Sequence, residues 1–351
     1  MPNINYELII LARESMGITQ RELAELLKED QGKFSKIEHG LMEFPEEKSE
    51  LLSTVLGYPD SFFRQSWKPI RVEGHYRKKV SLAVKVLKEY KAVMTLAEKH
   101  VSTLLDAVEL PILNCPSWDV ETHGSPELCA QYVRDFWRLP KGRILNITTL
   151  LEDNGIIPIE LDLKEMDGFA TFSKEGIPLI FINKNRPGDR DLFNKAHELA
   201  HFVMHFGKSI SQERDIDKEA NEFASEFLLP LKDIEHDLVK LSIPKLADLK
   251  RYWRVSMSAI LKKAKDHGYL SPNQSEYLWK QMSKLGYRTK EPVITPREKA
   301  TLLQEMFATY LQEFGYTKNE LARLLEFSED KLDEWYFDIQ QNRLKIIKTF
   351  N

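Results

Sequence analysis

Apolar residues in the first sixty positions recur with the three-to-four-residue step of amphipathic helices. Leu8, Ile9, Leu11 and Ala12 form one set, and Leu23, Leu26 and Leu27 another. Thr19 lies just ahead of Gln20-Arg21-Glu22-Leu23-Ala24, with Glu22 three residues on, which is the pattern of a capping box. Asp30 predicts the cap of a third helix that turns Phe34 and Ile37 inward, and Gly40 supplies its stop. A fourth helix runs through Leu51, Leu52, Val55 and Leu56 to Gly57. Between Ser81 and Leu110 there is no Gly or Pro, and Val84, Leu87, Met94, Val101, Leu104 and Leu105 keep helical spacing. One long helix, or two, is predicted there, ended by Pro111 and Pro116.

From about Ser125 the pattern is mixed. Cys129, Tyr132, Val133 and Phe136 fit one helix, and Ile144, Ile147, Leu150 and Leu151 a second that stops at Asn154-Gly155. Strand-like runs follow at Ile156–Leu161, Phe169–Phe172 and Pro178–Ile182, with Lys174-Glu175-Gly176 as the turn between the last two. Helical spacing returns at Leu192, holds to about Leu229-Pro230, and resumes beyond Leu238. The centre of the chain is therefore expected to be an α+β domain with a small sheet ahead of its helices. From about Pro292 the chain reads as helical again, and Gly315-Tyr316-Thr317-Lys318-Asn319-Glu320-Leu321-Ala322-Arg323-Leu324-Leu325 echoes Gly17 to Leu27. The echo marks either a second unit like the head or the common look of a capped amphipathic helix.

Composition narrows the class without naming a chemistry. At 351 residues, 42% hydrophobic and 30% charged, the chain is globular in character and long enough for two or three domains. No stretch approaches the roughly 18 apolar residues of a membrane helix, and the start Met1-Pro2-Asn3-Ile4-Asn5-Tyr6-Glu7 lacks the marks of a signal peptide. A cytoplasmic protein with no membrane partner is expected. Cys115 and Cys129 are the only cysteines, so no disulfide framework is anticipated, and both read as small hydrophobes.

The net charge of −4 is unevenly spread. Residues 1–63 carry six Lys/Arg against twelve Asp/Glu. Residues 64–91 carry Arg64, Lys68, Arg71, Arg77, Lys78, Lys79, Lys85, Lys88 and Lys91 against only Glu73 and Glu89. A basic stripe beside an acidic head points to an anionic partner such as nucleic acid, or to a solvated helix face.

The sharpest chemical signal is His197-Glu198-Leu199-Ala200-His201, an H-E-x-x-H on an uninterrupted helix former. Residues four apart share a helix face, so both imidazoles can meet one cation. Zinc fits, because two neutral imidazoles and one carboxylate leave a fourth position for water. Glu198 is rotated off the ligand face and is the candidate general base. The third ligand is sought in Asp215–Pro230, whose apolar face is Ala220, Phe223, Ala224 and Phe227. Asp217 lies one turn before Ala220 and nearer the centre of that face; Glu219 is the alternative, and Asn221 is placed to support a ligand from behind. His205 lies about 12 Å along the helix axis from His197 at about 1.5 Å per residue. It is expected to be packed or solvent-facing rather than a ligand. The metzincin pattern is absent, since Met204 and Gly207 stand where Gly and His are required.

In the head, a helix starting at Thr19-Gln20 and another near Asp30-Gln31, joined by a short turn, have helix-turn-helix spacing. Gln20 and Gln31 would reach phosphate or an adenine edge, and Lys33 and Lys36 are the phosphate candidates. Glu29, Asp30 and the acidic balance of the head oppose DNA, and the basic stretch can offset them.

Two resemblances follow. Residues 7–63, with Leu11-Ala12-Arg13-Glu14, Ile18-Thr19-Gln20-Arg21-Glu22-Leu23-Ala24 and Phe34-Ser35-Lys36-Ile37-Glu38-His39-Gly40, resemble an XRE/Cro-type repressor head. Residues 194–230, with His197 to His201 and Glu219-Ala220-Asn221-Glu222-Phe223-Ala224, resemble the ImmA/IrrE metallopeptidases. Their order is that of the fused XRE–ImmA/IrrE regulators, which His75-Tyr76-Arg77-Lys78-Lys79, the run Ser258 to Pro292 and the helical tail also resemble. The resemblance implies a mainly α, multi-domain chain. Its parts are a Cro/repressor-like helix-turn-helix head at 1–67, a basic helical linker at 68–115, a zincin-like α+β domain with a small sheet at 116–292, and a helical C-terminal region at 293–351, with a second helix-turn-helix-like unit as one reading of it.

It further implies a regulator that binds operator double-stranded DNA, as a homodimer, and holds one zinc ion per chain on His197, His201 and Asp217, with Glu198 as acid and base. Its protein substrate or partner is of the repressor or toxin kind, in a stress, prophage or toxin–antitoxin setting. The family usually has Glu where this chain has Asp217, which bears on activity more than on fold. The rival expectation is a non-enzymatic repressor or antitoxin whose zincin fold is a sensor or partner-binding domain.

Overall fold

The computed structural model describes residues 3–70 and 83–337. The His75–Lys79 motif and the cations Arg71, Arg77, Lys78 and Lys79 of the basic stretch lie outside the described residues. The chain divides into two compact units, one formed by residues 1–72, 82–108 and 304–351, the other by 73–81 and 109–303.

The first unit begins with α1 (Tyr6–Ser15), α2 (Gln20–Leu26), α3 (Gln31–Glu38), α4 (Ser49–Leu56) and the short α5 (Asp60–Phe63). Thr19 and Glu22 form the capping box at the start of α2, and the Asp30 carboxylate accepts the Lys33 amide at the start of α3. Gly57, at φ 65°, closes α4 in the left-handed conformation that glycine adopts at least cost. Leu8, Leu11, Ala12, Leu23, Phe34, Ile37, Leu52 and Phe63 are buried between these helices. An ion pair lies among them: Arg13 donates to both carboxylate oxygens of Glu38 at 2.7 and 3.1 Å, and Gln20 Nε2 donates to the same group at 2.7 Å. The long helix α6 (Val84–Leu105) packs on α1, burying Tyr90, Met94, Ala97, Val101 and Leu104.

The second unit opens with α7 (Val120–His123), α8 (Pro126–Phe136) and α9 (Ile147–Asp153). A three-stranded sheet follows, of β1 (Ile157–Leu161), β2 (Gly168–Phe172) and β3 (Pro178–Asn183), in the order β1-β3-β2. β1 runs parallel to β3 with Ile159 opposite Phe181; β2 runs antiparallel with Phe169 opposite Phe181. β3 is central and buried at every residue, which explains its unbroken apolar run. β2 is an edge strand, whereas β3 has a neighbour on both sides.

Helices α10 (Gly188–Met204) and α11 (Ile216–Leu228) then pack on one another, α10 also on β2 and β3, and α11 on α8. α12 (Leu231–Ile234), α13 (Ile243–Trp253), α14 (Met257–Asp266) and α15 (Pro272–Lys284) complete the unit. Ala170, Ile180, Ile182, Leu199, Val203, Phe223 and Phe227 share its core. Burial pushes the Cys115 thiol up to about 12 and raises that of Cys129, so both stay protonated at neutral pH.

The tail belongs to the first unit. α16 (Leu302–Ala308) passes into a π-helical turn at Thr309–Glu313, and α17 (Lys318–Leu324) and α18 (Glu329–Tyr336) follow. They repeat α1, α2 and α3 at a constant offset. Gly17 and Gly315 have φ 65° and 72°; Thr19 with Glu22, and Thr317 with Glu320, both form capping boxes. The helices are seven and then eight residues long in both copies, and the intervening turns place Lys28 at φ 52° and Glu326 at φ 55°. Leu23-Ala24 and Leu321-Ala322 are buried at equivalent points. A generic capped helix shares the cap but not the left-handed residue and second cap beyond it, so the echo in the sequence is a repeat of a three-helix pattern. Among the described residues, no helix is long and apolar enough to cross a membrane.

Candidate metal centre

α10 is a helix former that buries one face against the sheet and another against α11. Asp189 and Asp191 in its first turn complement the helix dipole. That packing leaves His197, Glu198 and His201 at 6%, 5% and 1% exposure, on the side turned to α11 and the start of β2.

The two histidines converge through their Nε2 atoms, which lie 3.2 Å apart. Asp217, on the first turn of α11, brings Oδ1 to 3.8 Å from His197 Nε2, and the donor atoms of His197, His201 and Asp217 all lie within 4.8 Å of one another. Nitrogens on one zinc ion at 2.0–2.1 Å and tetrahedral angles sit about 3.3 Å apart, so the imidazole spacing fits that ion directly.

The other ring nitrogens face protein. His197 Nδ1 lies 3.2 Å from Asn221 Oδ1, one turn along α11 from Asp217. His201 Nδ1 lies 2.8 Å from Nδ1 of His205, whose Nε2 lies 3.0 Å from Glu219 Oε2. Glu219 in turn accepts two hydrogen bonds from Arg214, at 2.8 and 2.7 Å. Burial opposes the charge of Glu219, but the bonds from Arg214 and His205 outweigh it and hold the carboxyl below its ordinary range. The structure thus brings His197, His201, Asp217 and Asn221 together and sets Glu219 behind His205 on Arg214. His205 is packed at 1% exposure, and its link to the site is a contact with His201, four residues back, that depends on the orientation of both rings.

Glu198 meets the sheet. A Cβ built at Gly168, the first residue of β2, would lie 2.9 Å from Glu198 Oε1. The edge strand therefore begins against the carboxylate. At its other end Phe172 packs edge-on to Phe202 and Phe206, with centroids at 5.0 and 5.1 Å, forming an aromatic wall on the helix that carries the histidines.

In the first unit, Gln31 and Lys36 on α3 are exposed and Lys33 pairs with Glu29 at 3.1 Å. Gln20 is half-buried and held by Glu38. The hydrogen bond from Lys48 leads in holding the Glu29 carboxyl below its ordinary range, and that from Lys33 adds to it.

A comparison with curated proteins finds no match. Residues 151–265, which run from the end of α9 through the sheet and both site helices into α14, match the model of the IrrE N-terminal-like domain, Peptidase_M78.

Proposed function

We propose that the chain is a DNA-binding regulator whose second unit is a zinc-dependent endopeptidase, cleaving a repressor, another partner protein or itself. The observation that carries the peptidase reading is the convergence of His197 Nε2, His201 Nε2 and Asp217 Oδ1 beside Glu198, within a segment matching a peptidase family. Two imidazoles and one carboxylate are a zinc donor set that leaves one position open. Zinc bound there supplies Lewis acidity to the scissile carbonyl and to the attacking water. Glu198 does the proton work: Oε1 accepts the proton of the water and returns it to the leaving amide nitrogen. The edge strand β2 offers its backbone groups to an extended substrate, so that the peptide lies along Phe169–Phe172 as an added strand and passes Glu198 at Gly168. Asn221, through His197 Nδ1, orients that ring.

The DNA reading rests on α2 and α3, whose lengths and four-residue turn suit a helix-turn-helix with α3 in the major groove. Gln31 at the start of α3 and exposed Lys36 serve base edge and phosphate. Lys33, shared with Glu29, contributes less, and Gln20 ties the start of α2 to Glu38. Internal pairing of Glu29 and Glu38 with Lys48, Lys33 and Arg13 leaves the acidic balance of the head unchanged, so the offset that DNA requires falls to the basic stretch at 64–91. Binding as a homodimer to paired half-sites is expected.

The deciding experiment incubates the zinc-loaded chain alone and with proteins encoded beside it, next to Glu198→Gln. Cleavage by the unaltered protein and its loss in the variant are expected. Identical behaviour of the two refutes the endopeptidase and leaves the non-enzymatic repressor or antitoxin, with the zincin fold as a sensor or partner-binding domain.

A further inference from the structure

We infer that His205, Glu219 and Arg214 are positioning residues that fix the tautomer and ring orientation of His201; the inference rests on the metal reading above. The argument is one of proton placement. His201 Nδ1 and His205 Nδ1 lie 2.8 Å apart, so one nitrogen carries the proton and the other accepts it. With Nε2 of His201 given to the ion, its proton is on Nδ1, and His205 Nδ1 is the acceptor. The proton of His205 is then on Nε2, where Glu219 Oε2 receives it at 3.0 Å. Glu219 is held by both of its oxygens, Oε1 on Arg214 Nε and Oε2 on Arg214 Nη2. With Nε2 of His201 on the ion, the donors and acceptors of the two rings and of Glu219 match in this arrangement, and the guanidinium at its end sets the direction.

The series is also dry where it matters. The His205 side chain is 0% exposed, and those of Glu219 and Arg214 are 13% and 14% exposed. In a low-dielectric setting the carboxylate strengthens the bond at His205 Nε2, which makes Nδ1 a better acceptor and His201 Nε2 a more basic ligand. His197 differs, since its Nδ1 faces the neutral amide oxygen of Asn221. The two ligand histidines are thus braced unequally, and His201 is the one tied to a charge. Glu219, a candidate third ligand on spacing, acts here through two intermediaries instead.

The test uses the full chain and zinc alone as the probe. Zinc affinity is read by chelator competition, and the His201 tautomer by nitrogen-15 NMR. His205→Leu fills the space without accepting a proton, and is expected to weaken zinc by about ten- to a hundred-fold and to abolish the defined Nδ1–H signal of His201. His205→Gln is expected to restore most of the affinity, because its Oε1 can accept from His201 and its amide can donate to Glu219. An affinity in His205→Leu within about two-fold of the unaltered protein overturns the proposal. If His205→Leu does not fold, Glu219→Gln decides, with a loss of roughly ten-fold expected and an unchanged affinity overturning it. Zinc binding that is absent from the unaltered chain, or unaffected by His201→Ala, brings down the metal reading itself and this inference with it.

Discussion

A methyl group at position 168 tests the placement of Glu198 more gently than removal of the carboxylate does. Gly168 does not have a left-handed φ, so alanine fits its backbone, and the nearest atoms its methyl would meet all belong to Glu198, with Oε1 at 2.9 Å and Cγ at 3.2 Å. Gly168→Ala should therefore leave the fold and the zinc content intact while pushing the carboxylate aside. A misplacement on the order of 1 Å costs about a hundred-fold in rate. Zinc analysis and cleavage assays on the same preparation check the expectation, and loss of zinc in this variant would count against the site as described. At this scale the sequence carried the clustering of the candidate ligands well. The H-E-x-x-H and the apolar face of α11 single out His197, His201 and Asp217, and the structure brings their donor atoms within 4.8 Å of one another, whereas Glu219 lies on His205 and Arg214. Gly168, Arg214 and the link through His205 were not legible, because their contacts to the site join residues distant in sequence or depend on ring orientation, neither of which periodicity encodes.

Helix by helix, the chain was legible wherever a cap or a stop was written locally. Thr19 with Glu22, Asp30 and Gly57 are each found doing what their residue types predict. The sheet order was not legible, since three short apolar runs fit several pairings, and only tertiary packing places β3 in the middle. The repeat of α1–α3 by α16–α18 was visible as an echo of one helix, but its extent depends on backbone conformations at Lys28 and Glu326 that neither residue type advertises.

The two copies differ in what they offer a polyanion. α3 presents Gln31 and Lys36, whereas α18 exposes Glu329, Asp330 and Glu334. On the proposed DNA reading, contact is therefore expected from α3 and not from α18. Lys36→Ala is expected to lower the slope of log affinity against log salt by about one, as loss of one phosphate contact does, while Glu329→Ala leaves the slope unchanged. A salt titration of operator binding by both variants measures this, and an equal response from the two helices would reverse the assignment.

For the whole molecule, the consequence of the repeat is that the last part of the chain completes the first. Phe327 lies 5.6 Å from the Tyr58 ring, Lys331 Nζ sits 4.0 Å over the same ring, and Tyr310 donates to the Leu104 carbonyl at 3.0 Å. His100, buried on α6 and held down to about 3 by that burial, meets the Tyr336 hydroxyl at 2.7 Å. Tyr58 and His100 are among the most buried polar aromatics of this unit, and the tail supplies much of what covers them. Deleting residues 304–351 uncovers these rings and removes the Tyr336 phenol from the His100 imidazole. Several kcal/mol of burial at about 25 cal/mol per Å² are lost from a small helical unit whose total stability is of the same order. The residues of the second unit, at 109–303, form their own core and lose none of these contacts. Limited trypsin digestion of the truncated chain should therefore cut first within residues 84–105, where the bonds after Lys85, Lys88, Lys91 and Lys99 open to the protease once α6 is loosened, and should spare the second unit. Equal resistance of both parts would mean that the head stands without its repeat. Early cleavage confined to the head would mean that the chain is organised with its DNA-binding candidate built from both ends and its peptidase candidate inserted between them.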